Sequence, residues 1–252
     1  MPEPTDAGPP DDVAILVPAA GEGRRLGGAR KQFRTLGDRP LLVQVLLLFE
    51  RHPAVGHLIV AVPEPHVQEV SDRLQAEGLS TLGAVVSGGD SRQSSVRHAL
   101  RAVPGPVEIV LVHDAVRPFV QAEEIAAVVR EARAHGAASL AMPVADTLRR
   151  ADDGVFGETV PRQALYRMQT PQGFRRAWLE EAHRQAAQAD ASGHDGRPAT
   201  DDVGLVQRTG RDVRLVEGRR RNFKITTTGD WQMAQQLWAT GSAAPDQSAA
   251  GS

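Results

Sequence analysis

The residues of this chain best able to do chemistry gather in a few short stretches. The first is Pro18-Ala19-Ala20-Gly21-Glu22-Gly23-Arg24-Arg25-Leu26-Gly27-Gly28-Ala29-Arg30-Lys31-Gln32. Gly21 and Gly23 let a ligand approach the backbone closely. Arg24, Arg25, Arg30 and Lys31 place four cations within eight residues. Cations beside glycines suit a polyphosphate; a solvated basic loop is the plainer alternative. Two familiar phosphate loops do not fit. The dinucleotide fingerprint needs Gly or Ala where Leu26 stands, and the ATPase loop needs a Gly-Lys-Ser/Thr triplet that is absent.

Ser87-Gly88-Gly89-Asp90-Ser91-Arg92-Gln93-Ser94-Ser95-Val96 brings two more glycines to the start of a helical stretch. There Ser91 or Asp90 suits a helix cap, and Gly88-Gly89 suits close approach to a ligand. In Val112-His113-Asp114-Ala115-Val116-Arg117-Pro118, Asp114 sits just past a strand, a good place for a Mg²⁺ or ribose contact. His113 reads as a structural, hydrogen-bonded histidine, and Arg117 as a phosphate ligand or the partner of Asp114. Asp201-Asp202 reads as a carboxylate pair for a metal or as a polar cap. Lys and Arg total 29, yet only Lys31 and Lys224 are lysine. Where arginine has taken nearly every such position, the two survivors mark places for a compact ammonium.

These stretches need a frame that presents strand ends and helix starts. Apolar runs predict strands at Val13–Val17, His57–Val62, Leu82–Val86, Val107–Val112, Ala137–Val144 and Val213–Val216. Between them, helical patterns fall at Leu41–Glu50, Pro65–Glu77, Ser91–Ala102, Ala122–Ala134, Arg175–Gln188 and Trp231–Trp238. Alternation of this kind predicts an α/β, three-layer fold around a largely parallel sheet. Asp146–Gln169 breaks the pattern. It has turn signals at Asp152-Asp153-Gly154 and no room for a crossover helix, so it is expected to be an antiparallel β-arm. An arm that cannot bury its own apolar face packs on a partner, which points to a homodimer.

The 252 residues are 41% hydrophobic and 24% charged, the balance of a soluble globular protein. Zero cysteines exclude a disulfide scaffold, thiolate zinc sites and a cysteine nucleophile. A net charge of −2 argues against nucleic acid as a partner. No apolar run has the length of a membrane span, and the acidic, Pro-rich start is unlike a signal or transit peptide, so a cytoplasmic protein is expected. The expected domain plan is a disordered tail at 1–11, one domain over 12–239 with its arm at 146–169, and a second tail at 240–252.

Taken in order, these stretches resemble the 2-C-methyl-D-erythritol 4-phosphate cytidylyltransferase family. The first loop is similar to AAGxGxRxG…PKQ, the second to GGxxRxxSV and the third to VHDAARP. Asp146-Thr147, Thr170-Pro171-Gln172, Thr200-Asp201-Asp202 and Asn222-Phe223-Lys224-Ile225-Thr226 follow in family order. The resemblance spans about Val13 to Trp238 and implies a Rossmann-like nucleotidyltransferase fold. It implies cytidylyl transfer from CTP to the methylerythritol phosphate, with release of pyrophosphate and with Mg²⁺ or another divalent cation as cofactor. By the same resemblance, Arg25, Lys31 and Lys224 are catalytic. Ala19, Ala20, Gly21, Gly23, Gly89, Asp90, Ser95 and Asp114 hold the nucleotide, and Asp114 also the metal. Arg117, Thr147, Arg162, Thr170, Thr200 and Asp201 meet the polyol phosphate, Arg162 reaching it from the arm. A fused second enzyme domain is not expected.

The chain departs from the family pattern in places. Arg30 replaces a Pro, Val116 an Ala and Gln207 a common Glu, while Thr228-Gly229 lacks the Pro that starts the last helix. A cytidylyltransferase for ribitol 5-phosphate or a related polyol phosphate shares these loops, and a catalytically silent nucleotide-binding module is the alternative of another class.

Overall fold

The structure is a computed structural model that describes residues 12–21, 31–191 and 199–241, leaving the side chains of Lys31 and Ala191 undescribed. In chain order the strands and helices are β1 (Val13–Pro18), β2 (Thr35–Leu36), β3 (Arg39–Pro40), α1 (Leu41–Glu50), β4 (Val55–Val62), α2 (Val67–Ala76), β5 (Leu82–Ser87), α3 (Arg92–Arg101), β6 (Ile109–Val112), α4 (Ala122–His135), β7 (Ala137–Pro143), β8 (Leu148–Asp152), β9 (Val155–Val160), β10 (Tyr166–Arg175), α5 (Arg176–Ala191), α6 (Asp202–Arg208), β11 (Arg214–Glu217) and α7 (Thr228–Ala239).

Seven strands form one sheet in the order β11-β7-β10-β6-β1-β4-β5. β1 pairs in parallel with β4 and β6, β4 with β5, and β11 with β7. Strands buried on both faces read as continuous apolar runs, and β1 and β6 are of that kind. Alternate residues of β1 enter opposite cores. Val13, Ile15 and Val17 pack with Leu46 and Phe49 of α1 and Val128 of α4. Ala14 and Leu16 pack with Val96 of α3, Leu179 of α5 and Val206 of α6. The result is the expected three-layer α/β fold with a mostly parallel sheet.

Two features differ from the sequence reading. The expected arm over Asp146–Gln169 is shorter: only β8 and β9 form the separate hairpin. β10 instead lies in the main sheet, antiparallel to both β6 and β7. Pro171 argues against a central strand, because it cannot donate to the ladder. Here it falls in the register break between Met168 and Gln172, where no regular donor is required. α6 was also unmarked as a helix; it is short and starts at Asp201, whose side chain caps the Gly204 amide.

α7 begins without the missing proline. Thr227 accepts from the Asp230 amide, and the Asp230 carboxylate accepts in return from the Thr226 and Thr227 amides. This reciprocal cap satisfies donors the first turn would otherwise leave orphaned.

The close fit of β10 against its neighbours is testable. A Cβ placed on Gly173 would lie 2.8 Å from both Leu111 Cδ2 and Val128 Cγ1 and 3.2 Å from Ala132 Cβ. Gly173→Ala is therefore expected to overpack this layer and cost about 1–3 kcal/mol, read as a lower urea midpoint at unchanged slope.

Candidate active site

The carboxyl ends of β1, β4, β5 and β6 open onto one cleft of about 870 Å³, the position where open α/β sheets bind ligands. Ala19, Ala20 and Gly21 form one rim, continuing straight from β1. Gln32 latches this rim: its Nε2 donates to Ala19 O at 2.7 Å and Gly21 O at 3.1 Å. Gly88, Gly89, Asp90 and Arg92 form the opposite rim, and Asp114 and Lys224 lie in the wall between. A side chain at Gly88 would collide with the Ala20 methyl group, so the two rims approach as closely as the missing Cβ allows.

The second rim is shaped by hydroxyls. Ser91, not Asp90, caps α3, accepting from Ser94 N at 3.0 Å. Ser95 Oγ accepts from Gly89 N at 3.1 Å and donates to Ser91 O at 2.9 Å. Asp90 is left exposed and lines the cleft.

Asp114 is the electrostatic centre. Its carboxylate meets Lys224 Nζ at 3.1 Å, Arg117 Nε at 3.2 Å and Arg92 Nε at 3.4 Å. Burial opposes its charge, but Lys224, Arg92 and Arg117 outweigh that and hold the carboxyl well below the usual range. Arg117 is itself buried, with Nη1 donating to Asn222 O at 2.8 Å and Nη2 to Met168 O at 3.4 Å. Arg117 thus pairs with Asp114, as one of its two sequence readings had it. Lys224 is held by its neighbours. Phe223 stacks on Phe119 at 5.4 Å, and Ile225, fully buried, donates its amide to Val116 O at 3.0 Å. The lysine side chain remains 41% exposed.

Behind Asp114, Thr170 Oγ1 accepts from the Asp114 amide at 3.1 Å and lies 3.2 Å from His113 Nδ1. His113 Nε2 lies 3.0 Å from Arg117 O, a carbonyl that can only accept. The consistent assignment is a neutral ring, with Nε2–H donating to Arg117 O and Nδ1 accepting from the Thr170 hydroxyl. His113 is thus structural, as its sequence context suggested. Thr170 is buried and spends its hydroxyl on seating Asp114.

Asp201 serves as a cap and also accepts from Gln172 Nε2 at 2.9 Å. Thr147, Arg162 and Thr200 are exposed and lie outside the cleft lining of this single chain; Arg162 donates to Ala145 O at the root of the arm. Gly23, Arg24, Arg25 and Arg30 lie outside the described residues, as does the Lys31 side chain. Gln32 and Arg92 were quoted within motifs but given no role by the sequence reading, although their places beside Lys31 and at the helix start were signals.

A family model described as IspD, 2-C-methyl-D-erythritol 4-phosphate cytidylyltransferase, matches residues 13–239. The chain belongs to this family. A Salinibacter ruber protein of that name is 65% identical over 235 residues, covering 93% of this chain and 96% of its own. One from Syntrophotalea carbinolica is 40% identical over 234 residues, covering 90% and 97%. The crystal structure of the Thermus thermophilus enzyme of that name matches with a TM-score of 0.72 at 38% identity, covering 90% of this chain and 98% of that one. The family is one of nucleotidyltransferases, and the chain is an enzyme of that class. Among the described residues no helix is long and apolar enough to cross a membrane.

His113 gives the site a pH signature. Burial lowers its pKa to about 4 in the folded protein, against an ordinary 6.5. Between those values the unfolded chain binds the extra proton, so stability is complete above pH 6.5 and falls as pH drops toward 4. About 2 kcal/mol is expected to be lost between pH 7.5 and pH 5 from this group. Urea unfolding at the two pH values checks this, and the pH dependence is expected to shrink in His113→Gln.

Proposed function

We propose that the cleft binds CTP beside 2-C-methyl-D-erythritol 4-phosphate and transfers the cytidylyl group between them. The products are 4-diphosphocytidyl-2-C-methyl-D-erythritol and pyrophosphate. The observation that carries this reading is Lys224, anchored by apolar neighbours on both sides yet presenting its ammonium beside Asp114 in the wall of a glycine-rimmed cleft. Both reactants are polyanions, so the first obstacle to the reaction is repulsion. A phosphate oxygen of the polyol phosphate attacks the α-phosphorus of CTP, and the bond from that phosphorus to the bridging oxygen of the β-phosphate breaks. The attacking phosphate is already ionised at neutral pH, so no strong base is needed, and the work is positioning and charge neutralisation.

Lys224 is suited to exchange Asp114 for the phosphates, since its head is half-exposed while Arg117 and Arg92 still balance the carboxylate. Arg25 and Lys31 are assigned to the triphosphate from the other rim. Gly88 and Gly89 bring backbone groups close to the base, with Asp90, Ser95, Ala19 and Ala20 around the nucleoside. No group of three or more histidines and carboxylates among the described residues is placed to cage a metal. That suits Mg²⁺, which commonly binds through one or two carboxylates plus substrate phosphates; Asp114 is the carboxylate assigned here. When bound, the ion neutralises triphosphate charge.

The hairpin β8–β9 ends in exposed apolar side chains, Val155 at 71% and Phe156 at 79% exposure. We assign it to a homodimer contact in which Arg162 and Thr147 of one subunit help to hold the polyol phosphate of the other. The cytoplasm is assigned as its compartment, in keeping with a chain without cysteine.

Pyrophosphate release by the purified chain tests the reading. Release is expected with CTP and methylerythritol phosphate, and a preference for ribitol 5-phosphate would overturn the substrate. Lys224→Ala is expected to lower kcat by about 10²–10³-fold, the usual scale for losing one donor to a charged transition state. Arg162→Ala is expected to weaken binding of the polyol phosphate more than that of CTP in calorimetric titrations. Phe156→Asp is expected to shift the mass seen by light scattering from dimer toward monomer.

A further inference from the structure

Arg92 is shared between two carboxylates. It is the first residue of α3 and lines the cleft. Its Nη1 lies 2.6 Å from Asp202 Oδ2, whereas its Nε lies 3.4 Å from Asp114 Oδ1. The short contact is to Asp202 and the long one to Asp114, so Asp202 holds Arg92 more closely than Asp114 does. Asp202 is fully buried at the start of α6, and its other oxygen, Oδ1, lies 3.1 Å from His183 Nε2 on α5. His183 is 2% exposed, and its Nδ1 has no partner, so Asp202 is its one polar anchor among the described residues. The carboxylate is thereby spent on both sides and aimed at Arg92.

The three cations around Asp114 differ in freedom. Arg117 is tied to two backbone carbonyls, and Lys224 has an exposed side chain. Were Arg92 released from Asp202, the nearest opposite charge would be Asp114, already 3.4 Å away. A guanidinium closing on that carboxylate would bind it through two parallel donors, more firmly than an ammonium does. It would compete for the oxygens that Lys224 now shares.

We propose that Asp202 and His183 are positioning residues for the transfer reaction. They hold Arg92 back, so that the Asp114 carboxylate remains open to Lys224 and to exchange when phosphates arrive. The proposal rests on the reading of the cleft as the CTP site. It assigns two residues outside the cleft lining to turnover rather than to binding.

The test uses His183, which is not among the residues lining the cleft and hydrogen-bonds Asp202. His183→Leu substitutes an apolar side chain of similar bulk without a donor, and His183→Gln keeps an N–H to offer Asp202. His183→Leu is expected to lower kcat about tenfold, the lower end of what losing such an outer partner costs elsewhere. CTP affinity by calorimetry is expected to stay the same or tighten, because the freed guanidinium still faces the cleft. His183→Gln is expected to recover most of the rate. Asp202→Asn is expected to repeat the split between rate and affinity. Equal rates for wild type, Leu and Gln overturn the proposal, and so does a loss of CTP affinity that parallels the loss of rate and of thermal stability. No pyrophosphate release by the unmodified chain overturns the reading of the cleft itself, and this assignment with it.

Discussion

A carboxylate with almost no access to water, surrounded by three cations, is what the rest of this molecule is arranged to satisfy. Asp114 cannot stay charged at that depth without its partners. Each partner arrives on a different piece of chain: Arg92 at the head of α3, Arg117 in the turn after β6, Lys224 in the segment before α7. One side chain therefore pins three stretches together, its own turn and the two that bring Arg92 and Lys224. With Arg92 shared with Asp202, three cations face two carboxylates, and the most exposed of the three, Lys224, lines the cleft. Stability and affinity for anions come from one electrostatic balance.

That balance is graded. Arg117 is immobilised by two carbonyls, Arg92 is divided between two acids, and Lys224 has a rigid base and a loose head. On the proposed reading, a phosphate entering the cleft meets the most exposed partner, Lys224, first. The carboxylate left behind still has two guanidiniums, so the cost of the exchange is kept small. A site built only from fixed pairs would bind weakly; one built only from loose ones would not hold Asp114 in place.

Much of this was legible in the sequence, for identifiable reasons. The apolar runs of β1, β4 and β6 announce strands buried on both faces, and the spacing of α4 announces its inner face. Asp114 and Lys224 stood out because each sits in a motif and because lysine is so scarce. β10 was harder. Gln169, Thr170 and Gln172 are polar and Pro171 is a strand breaker, so the expected arm ended at Gln169 and no strand of the main sheet was expected here, although all three polar side chains are buried. What buries them is a set of pairings to distant chain, such as Thr170 to His113 and Asn222 to Thr170 O. The link from Arg92 to Asp202 spans 110 residues and leaves no local trace. Asp201 does cap a helix and His113 does hydrogen-bond a backbone carbonyl, two of the readings their positions allowed, because a short polar side chain beside a helix start or a strand end has a backbone group within reach.

The hairpin also has a mechanical meaning. Its two legs enter the body as β7 and β10, which are hydrogen-bonded neighbours, and Val144 N still donates to Leu165 O at 3.0 Å where they emerge. It is a two-legged stalk continuous with the central sheet, not a flap on a hinge. Tension on its tip runs down β10 and within a few residues reaches Thr170, whose hydroxyl seats the Asp114 amide. Whatever grips the stalk thus pulls on the footing of Asp114 in the cleft wall.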